Sequence, residues 1–434
     1  MHSTIIYSVL SLLTICQLSL SAPVSVADSK KLPGRVNLVR NPSYAEYGPS
    51  EYLHAAIKYN IRPTHPEALH YSEIVDEDRR LLRRDVTLGL EPLSLVKSGS
   101  GYISPVTVGA GANAQAFNVI LDSGSADFWV FSDLMHQNLV GPHNIYHPKN
   151  STSAVPTGQQ WRIRYGDNST ATGVVYNDTL GIAGITVPNQ AVEAAVQVDQ
   201  GSLNMEADGL LGLSLGRNTI GTGTTPTTLY NLFFGKNTSP QLSTSRVFTC
   251  ALTRPNETAG FYTFGYIDQQ LVNSQPIQYT PIVTAGNPNG YWTFQSDYFV
   301  INGQQVPRPG NLAFADTGTT LILVADDILP LIYAPLGGRY DPNVQGWVFP
   351  STVTDAQVPT LSFPAGNNIV TLAFTDIARS LVDENWIFGA IQSRGDFEFD
   401  IFGDVWLRNI YAIFDVMDGN SAQFGLVPRA STVA

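Results

Sequence analysis

An all-β fold built as two similar lobes is what this 434-residue sequence predicts, and three observations carry the prediction. Apolar residues, 43% of the chain, are cut into short runs by 37 glycines and 27 prolines, as expected for many short strands joined by tight turns. Two of those runs, residues 117–130 (FNVILDSGSADFWV) and 312–324 (LAFADTGTTLILV), each break at an Asp-hydroxyl-Gly turn, and their aspartates lie 194 positions apart. An apolar-apolar-Gly element then follows each turn at nearly the same distance. Gly212 of Leu210-Leu211-Gly212 lies 90 positions after Asp122, and Gly403 of Ile401-Phe402-Gly403 lies 87 after Asp316. Matched spacing of this kind points to internal duplication, hence two lobes. Helices are expected to be few and short, with residues 227–234 and 326–333 as candidates whose apolar side chains serve as packing contacts.

A single Asp-Ser-Gly or Asp-Thr-Gly is ordinary turn chemistry. Two in the same context carry more. The apolar residues before Asp122 and Asp316 read as buried strands, and Gly124 and Gly318 permit the tight turns that follow. Ser123 and Thr317 are expected to hydrogen-bond across a two-fold axis while turn N–H groups donate to the carboxylates. Gly212 and Gly403 are expected to pack behind the turns. Two carboxylates facing each other share one proton and one water, which equips them to hydrolyse an amide. A glycosidase also pairs carboxylates, but nothing in its chemistry calls for Asp-hydroxyl-Gly on both sides.

Further segments fall in a recognisable order: Tyr165-Gly166-Asp167-Asn168-Ser169, the run 207–214 (ADGLLGLS), Gly389-Ala390-Ile391-Gln392-Ser393, and the closing run 402–415 (FGDVWLRNIYAIFD). Together with the two turns they make the chain resemble the pepsin family of aspartic proteases, in its secreted fungal penicillopepsin-like or polyporopepsin-like branch, over nearly everything after residue 100. The resemblance implies a bilobal fold of two β-barrel-like lobes, here residues 85–270 and 271–434, with the active-site cleft between them. It also implies an aspartic endopeptidase in which Asp122 is the ionised and Asp316 the protonated member, although such coupled groups titrate as a pair. Tyr165 would sit on a hairpin flap that closes over substrate, bonded to Trp129, with Gly166 beside it. Ser125 and Thr319 would donate to the carboxylates.

Ile120 and Leu210 match positions lining the family's primary pocket, so large hydrophobic residues are expected before the scissile bond. Asp167 would let Lys enter the same pocket, while Asn168 replaces the usual glycine. The family's usual disulfide positions correspond to Ser351 and Ile387, which cannot form one. A noncatalytic binding or inhibitor protein on the same fold is the alternative; such a protein usually lacks a dyad Asp, its hydroxyl neighbour or the flap tyrosine, and all are present here.

The start of the chain reads as a leader. Residues 5–20 are mostly apolar, too short for a comfortable membrane span and followed by small residues, so residues 1–21 are expected to be a signal peptide. Residues 22–84 hold ten lysines and arginines against eight acidic residues, whereas from Asp85 onward 14 basic residues face 28 acidic ones. The change coincides with Arg79-Arg80-Leu81-Leu82-Arg83-Arg84, where cleavage after Arg83-Arg84 would release a propeptide. Lys58-Tyr59 resembles the Lys-Tyr pair of family propeptides, in which the lysine sits on the two catalytic carboxylates. A buried ammonium is tolerable only when paired, and the dyad supplies the partners.

Composition excludes other classes. The formal net charge of −12, with no basic patch, argues against nucleic acid. Few lysines and histidines follow Arg84, so acid leaves little positive charge to repel itself, which suits an acidic medium. No later segment is long enough to span a membrane, and the C-terminus has no hydrophobic tail. Cys250 is alone after the leader and reads as a buried small hydrophobe. His143 and His147 are four apart but flanked by Pro142 and Pro148, so neither a metal nor any other cofactor is expected. Sequons begin at Asn150, Asn168, Asn177, Asn237 and Asn256. The expected partners are protein and peptide substrates and the chain's own propeptide, the expected location is extracellular rather than vacuolar, and monomer is the default.

Overall fold

The structure is a computed structural model that describes residues 34–40, 44, 46–68, 101–136, 140–164, 170–198, 207–221, 225–236, 242, 244–254, 257, 260–272, 275–417 and 421–429. The expected signal peptide, the Arg83-Arg84 processing site, the flap residues Tyr165, Gly166 and Asp167, and the sequons at Asn168, Asn237 and Asn256 lie outside the described residues.

The first half centres on an eight-stranded sheet. In it Gln115–Asp122 runs parallel to Gly209–Gly212, with Asp122 opposite Gly212, and Gly209–Gly212 pairs on its other edge with Phe128–Val130. The second half repeats the device in a five-stranded sheet. Leu312–Ala315 runs parallel to Asp400–Phe402, which pairs antiparallel with Ile322–Val324. In each half the strands before and after the Asp turn are therefore held apart by a third strand inserted from about 90 residues downstream. That insertion requires a close approach. A Cβ on Gly212 would fall 2.6 Å from Ser125 O, and one on Gly403 would fall 2.3 Å from Thr319 O. Both glycines thus pack against backbone just behind the turns, as their spacing implies.

A six-stranded sheet joins the halves. It takes Val247–Ala251 and Phe261–Phe264 from before position 270 and Gln278–Pro281, Ile410–Asp415 and Gln423–Pro428 from after it, with Arg35–Asn37 on one edge. Phe248 stacks on Phe414 across it at 4.4 Å, and Trp292 donates its indole N–H to Leu213 O at 3.0 Å, stitching second half to first. The result is the mostly-β, bilobal architecture expected.

Helices after residue 100 are short. Thr228–Phe234 starts where Thr227 accepts a bond from Tyr230 N, and Leu329–Tyr333 occupies only the end of the second candidate, the three residues before it forming a non-helical turn. The longest described helix, Gly48–Tyr59, lies instead in the amino-terminal segment. Its signals are local: Pro49 at the first turn, Glu51 near the N-terminus, Lys58 in the last turn, and Asn60 in the left-handed conformation that ends it. Twelve residues are marginal as an isolated helix. Burial of Tyr52, Leu53, Ala55, Ala56, Ile57 and Tyr59 against the body supplies the rest.

Candidate active site

The two Asp turns meet with near two-fold symmetry. Ser123 N donates to Thr317 Oγ1 at 3.0 Å and Thr317 N to Ser123 Oγ at 2.9 Å, while Ser123 Oγ donates to Ala315 O and Thr317 Oγ1 to Leu121 O. Each hydroxyl thus bonds the opposite strand. Gly124 N donates to Asp122 Oδ1 and Gly318 N to Asp316 Oδ1, both at 2.9 Å. Both carboxylates are fully buried. The turn glycines matter for space rather than for left-handed backbone, since neither has a positive φ. A Cβ on Gly124 would fall 2.5 Å from Asp316 Oδ1, and one on Gly318 would fall 2.2 Å from Asp122 Oδ1. Each glycine leaves room for the other turn's carboxylate.

The symmetry breaks at the outer oxygens. Ser125 Oγ donates to Asp122 Oδ2 at 2.6 Å. Thr319 Oγ1, its counterpart, is buried without a hydrogen bond of good geometry among the described residues, although it is close enough to help hold the Asp316 carboxyl low. Asp316 Oδ2 instead accepts from Tyr59 OH at 2.5 Å.

Lys58 sits across the pair. Its Nζ lies 2.8 Å from Asp122 Oδ1 and 3.3 and 3.1 Å from the two oxygens of Asp316, and its side chain is only 19% exposed. Burial disfavours the ammonium, but the two carboxylates outweigh it and push Lys58 up, so it is charged. Asp122 is raised, chiefly by burial and by the neighbouring Asp316, against the pull of Lys58. Burial acts on Asp316 too, yet Lys58 and the hydrogen bonds around it hold its carboxyl below the ordinary range. With Lys58 and Tyr59 in place, the contacts on the two carboxylates are unequal. Tyr59 donates only to Asp316, and Lys58 contacts both of its oxygens.

Neighbouring residues complete the cleft. The Tyr59 ring packs against Tyr291, Phe314 and Phe397 at centroid distances of 5.8, 5.5 and 5.3 Å. Sequence reading missed this aromatic pocket, although Phe314 stands two residues before Asp316 just as Ile120 stands two before Asp122. Ile120 is buried beside Ile103 and Ala207, and Leu210 lies opposite it in register. Trp129 stacks on Trp161, and its indole N–H is buried with no hydrogen-bond partner among the described residues. The helix is fastened by a second buried group that sequence also missed. Arg379 binds Glu51 through Nε at 2.6 Å and Nη2 at 2.5 Å, Tyr44 OH at 2.6 Å and Glu46 at 3.0 Å. Arg379 lies 328 positions from Glu51, so no local pattern pairs them.

Other candidates fall away from the cleft. Cys250 is buried in a strand, and burial pushes its thiol well above the ordinary range. His143 stacks on Phe131 and approaches Asp208, whereas His147 bonds Asp133, so the two histidines face different partners. Ser351 bonds the backbone of Glu384 and Asn385, and Ile387 pairs with Phe349 two residues from it. Asn150 is exposed, while Asn177 is half-buried within a strand. No helix among the described residues is long and apolar enough to cross a membrane.

Comparison with known proteins bears on this geometry. The profile of the eukaryotic aspartyl protease family matches residues 101–427. The aspartic protease pepA of Arthroderma gypseum is 34% identical over 80% of this chain and 84% of its own length. Aspergillopepsin-1 of Aspergillus pseudoglaucus is 36% identical over 72% and 76%, and endothiapepsin of Cryphonectria parasitica is 31% identical over 88% of each. With that match spanning both Asp turns and the cleft between them, the chain belongs to the pepsin-type eukaryotic aspartyl proteases, as an aspartic endopeptidase with fungal relatives.

Proposed function

We propose that the chain is a secreted endopeptidase made as a zymogen, with Asp122 and Asp316 as its catalytic dyad and Lys58 as the temporary occupant of the cleft. The observation that carries the reading is the Lys58 ammonium held between both carboxylates of one chain. Residues 1–21 would be removed on export and 22–84 after cleavage at Arg84, leaving lobes 85–270 and 271–434 as a monomer that needs no cofactor. Acidification favours release because protonating the dyad, which titrates as a pair, removes negative charge facing Lys58.

Once Lys58 leaves, the dyad would hold a water in its place. One carboxylate takes the water's proton as the oxygen attacks the peptide carbonyl, and the other, protonated, donates to the developing oxyanion. The tetrahedral diol collapses when the amine nitrogen is protonated. Glycines 124 and 318 and hydroxyls 123 and 317 keep the carboxylates in place, so little reorganisation accompanies the charge movement. Trp129 Nε1, buried and unpartnered among the described residues, is the donor that Tyr165 would accept when the flap closes. Ile120 and Leu210 favour a large apolar residue before the scissile bond, and Asp167 would admit Lys there. Asn150, exposed, is a better glycan acceptor than the half-buried Asn177.

The test is digestion of a protein substrate at pH 3 to 5 by the acid-treated precursor, with and without pepstatin, beside Asp122→Asn. Pepstatin-sensitive cleavage lost in the variant is expected; its absence from the processed wild type rejects the reading. Lys58→Ala precursor should be more active than wild-type precursor near neutral pH, and equal activity would remove the inhibitory role.

A further inference from the structure

Arg379 is a buried guanidinium with a borrowed environment. It lies on the strand Ala378–Leu381 and is 7% exposed. Every hydrogen-bond and ion-pair partner it has among the described residues comes from the amino-terminal segment: Glu51 on two nitrogens, Tyr44 OH and Glu46. Tyr44 also reaches Thr320, four residues beyond Asp316, so the group belongs to the same cleft. When that segment leaves, Arg379 stays, and its planar fork is shaped for a carboxylate.

We propose that in the processed enzyme Arg379 forms a subsite for an acidic side chain of the substrate, in the place Glu51 occupies in the precursor. Glu51 precedes Lys58 by seven residues of one helix, a rise of about 10 Å. An extended peptide advances about 3.3 Å per residue. The preferred Asp or Glu therefore falls roughly three residues from the scissile bond. The subsite rests on departure of the amino-terminal segment, as proposed above.

The experiment uses the acid-processed enzyme at pH 5 and a peptide library with a fixed hydrophobic pair at the cleavage point, in which each position two to four residues away is Glu, Gln, Asp or Asn. One position should favour the acid over its amide about tenfold in kcat/KM, mostly through KM. Arg379→Gln should abolish the preference, and Arg379→Lys should restore part of it. Equal cleavage of acid and amide peptides at every position by a proteolytically active wild type overturns the subsite alone. That wild-type comparison decides the matter even if the Arg379 variants do not fold. Failure to cleave any peptide overturns the proteolytic reading and the subsite together.

Discussion

Beneath the Asp122 turn, Asp127 and Glu193 are buried against one another with no cationic partner among the described residues; beside the Asp316 turn, Asp400 is buried between Arg308 and Arg394. Asp127 also accepts from Thr219 N and Oγ1, and Asp400 from Asn311. The duplication does not relate these places, since Asp400 corresponds to Gly209 and Glu193 to Gln392, yet each lobe keeps a buried carboxyl near its turn, and in a different way. The first lobe keeps buried carboxyls by letting them hold a proton, and the second keeps one by surrounding it with guanidinium groups. The first solution depends on pH, because both Asp127 and Glu193 are raised, chiefly by burial. Folded-state values above the unfolded ones mean stability that is complete below about pH 4 and lost as pH rises through the folded values. Asp404, pushed up to about 8 by burial, shows that the second lobe is not wholly free of the same behaviour.

The largest effect should come from breaking the second solution. Arg308→Met leaves Asp400 with Arg394 as its remaining cation, and the loss of a buried partner should destabilise the protein by about 3–5 kcal/mol in denaturant titrations. A loss below about 1 kcal/mol would mean that Arg394 compensates alone. Next comes Glu193→Gln, which replaces the shared proton by a permanent amide donor. Wild-type stability should fall between pH 4 and neutrality, by about 1.4 kcal/mol for each unit of pKa elevation, and the variant should lose much of that slope. Parallel pH curves would sink the proton-sharing account. Smallest is the contrast between turns: Ser125→Ala removes a bond to a carboxylate and should lower kcat about tenfold, while Thr319→Ala, which removes none, should lower it less. Equal losses would mean that Thr319 swings onto Asp316 in the working enzyme.

Most of the central architecture could be read from the sequence because duplication makes weak signals additive. The turns at Asp122 and Asp316, the hydroxyls at 123 and 317, and the packing of Gly212 and Gly403 are each ordinary alone, but their spacing relates them. The helix Gly48–Tyr59 was harder to see because it is buried on nearly every side, which removes the polar stripe that marks an amphipathic helix. Arg379 with Glu51 was invisible for a different reason: the pair is made by the fold, across hundreds of residues. Phe314 is legible through the duplication, since it stands two residues before Asp316 as Ile120 stands two before Asp122.

The position of Lys58 also has a consequence for the order in which the protein is made. It precedes Asp122 by 64 residues and Asp316 by 258. A ribosome therefore produces the occupant before either wall of the cleft, and the second wall emerges last. No stage of synthesis offers both carboxylates without the lysine already attached to the same chain.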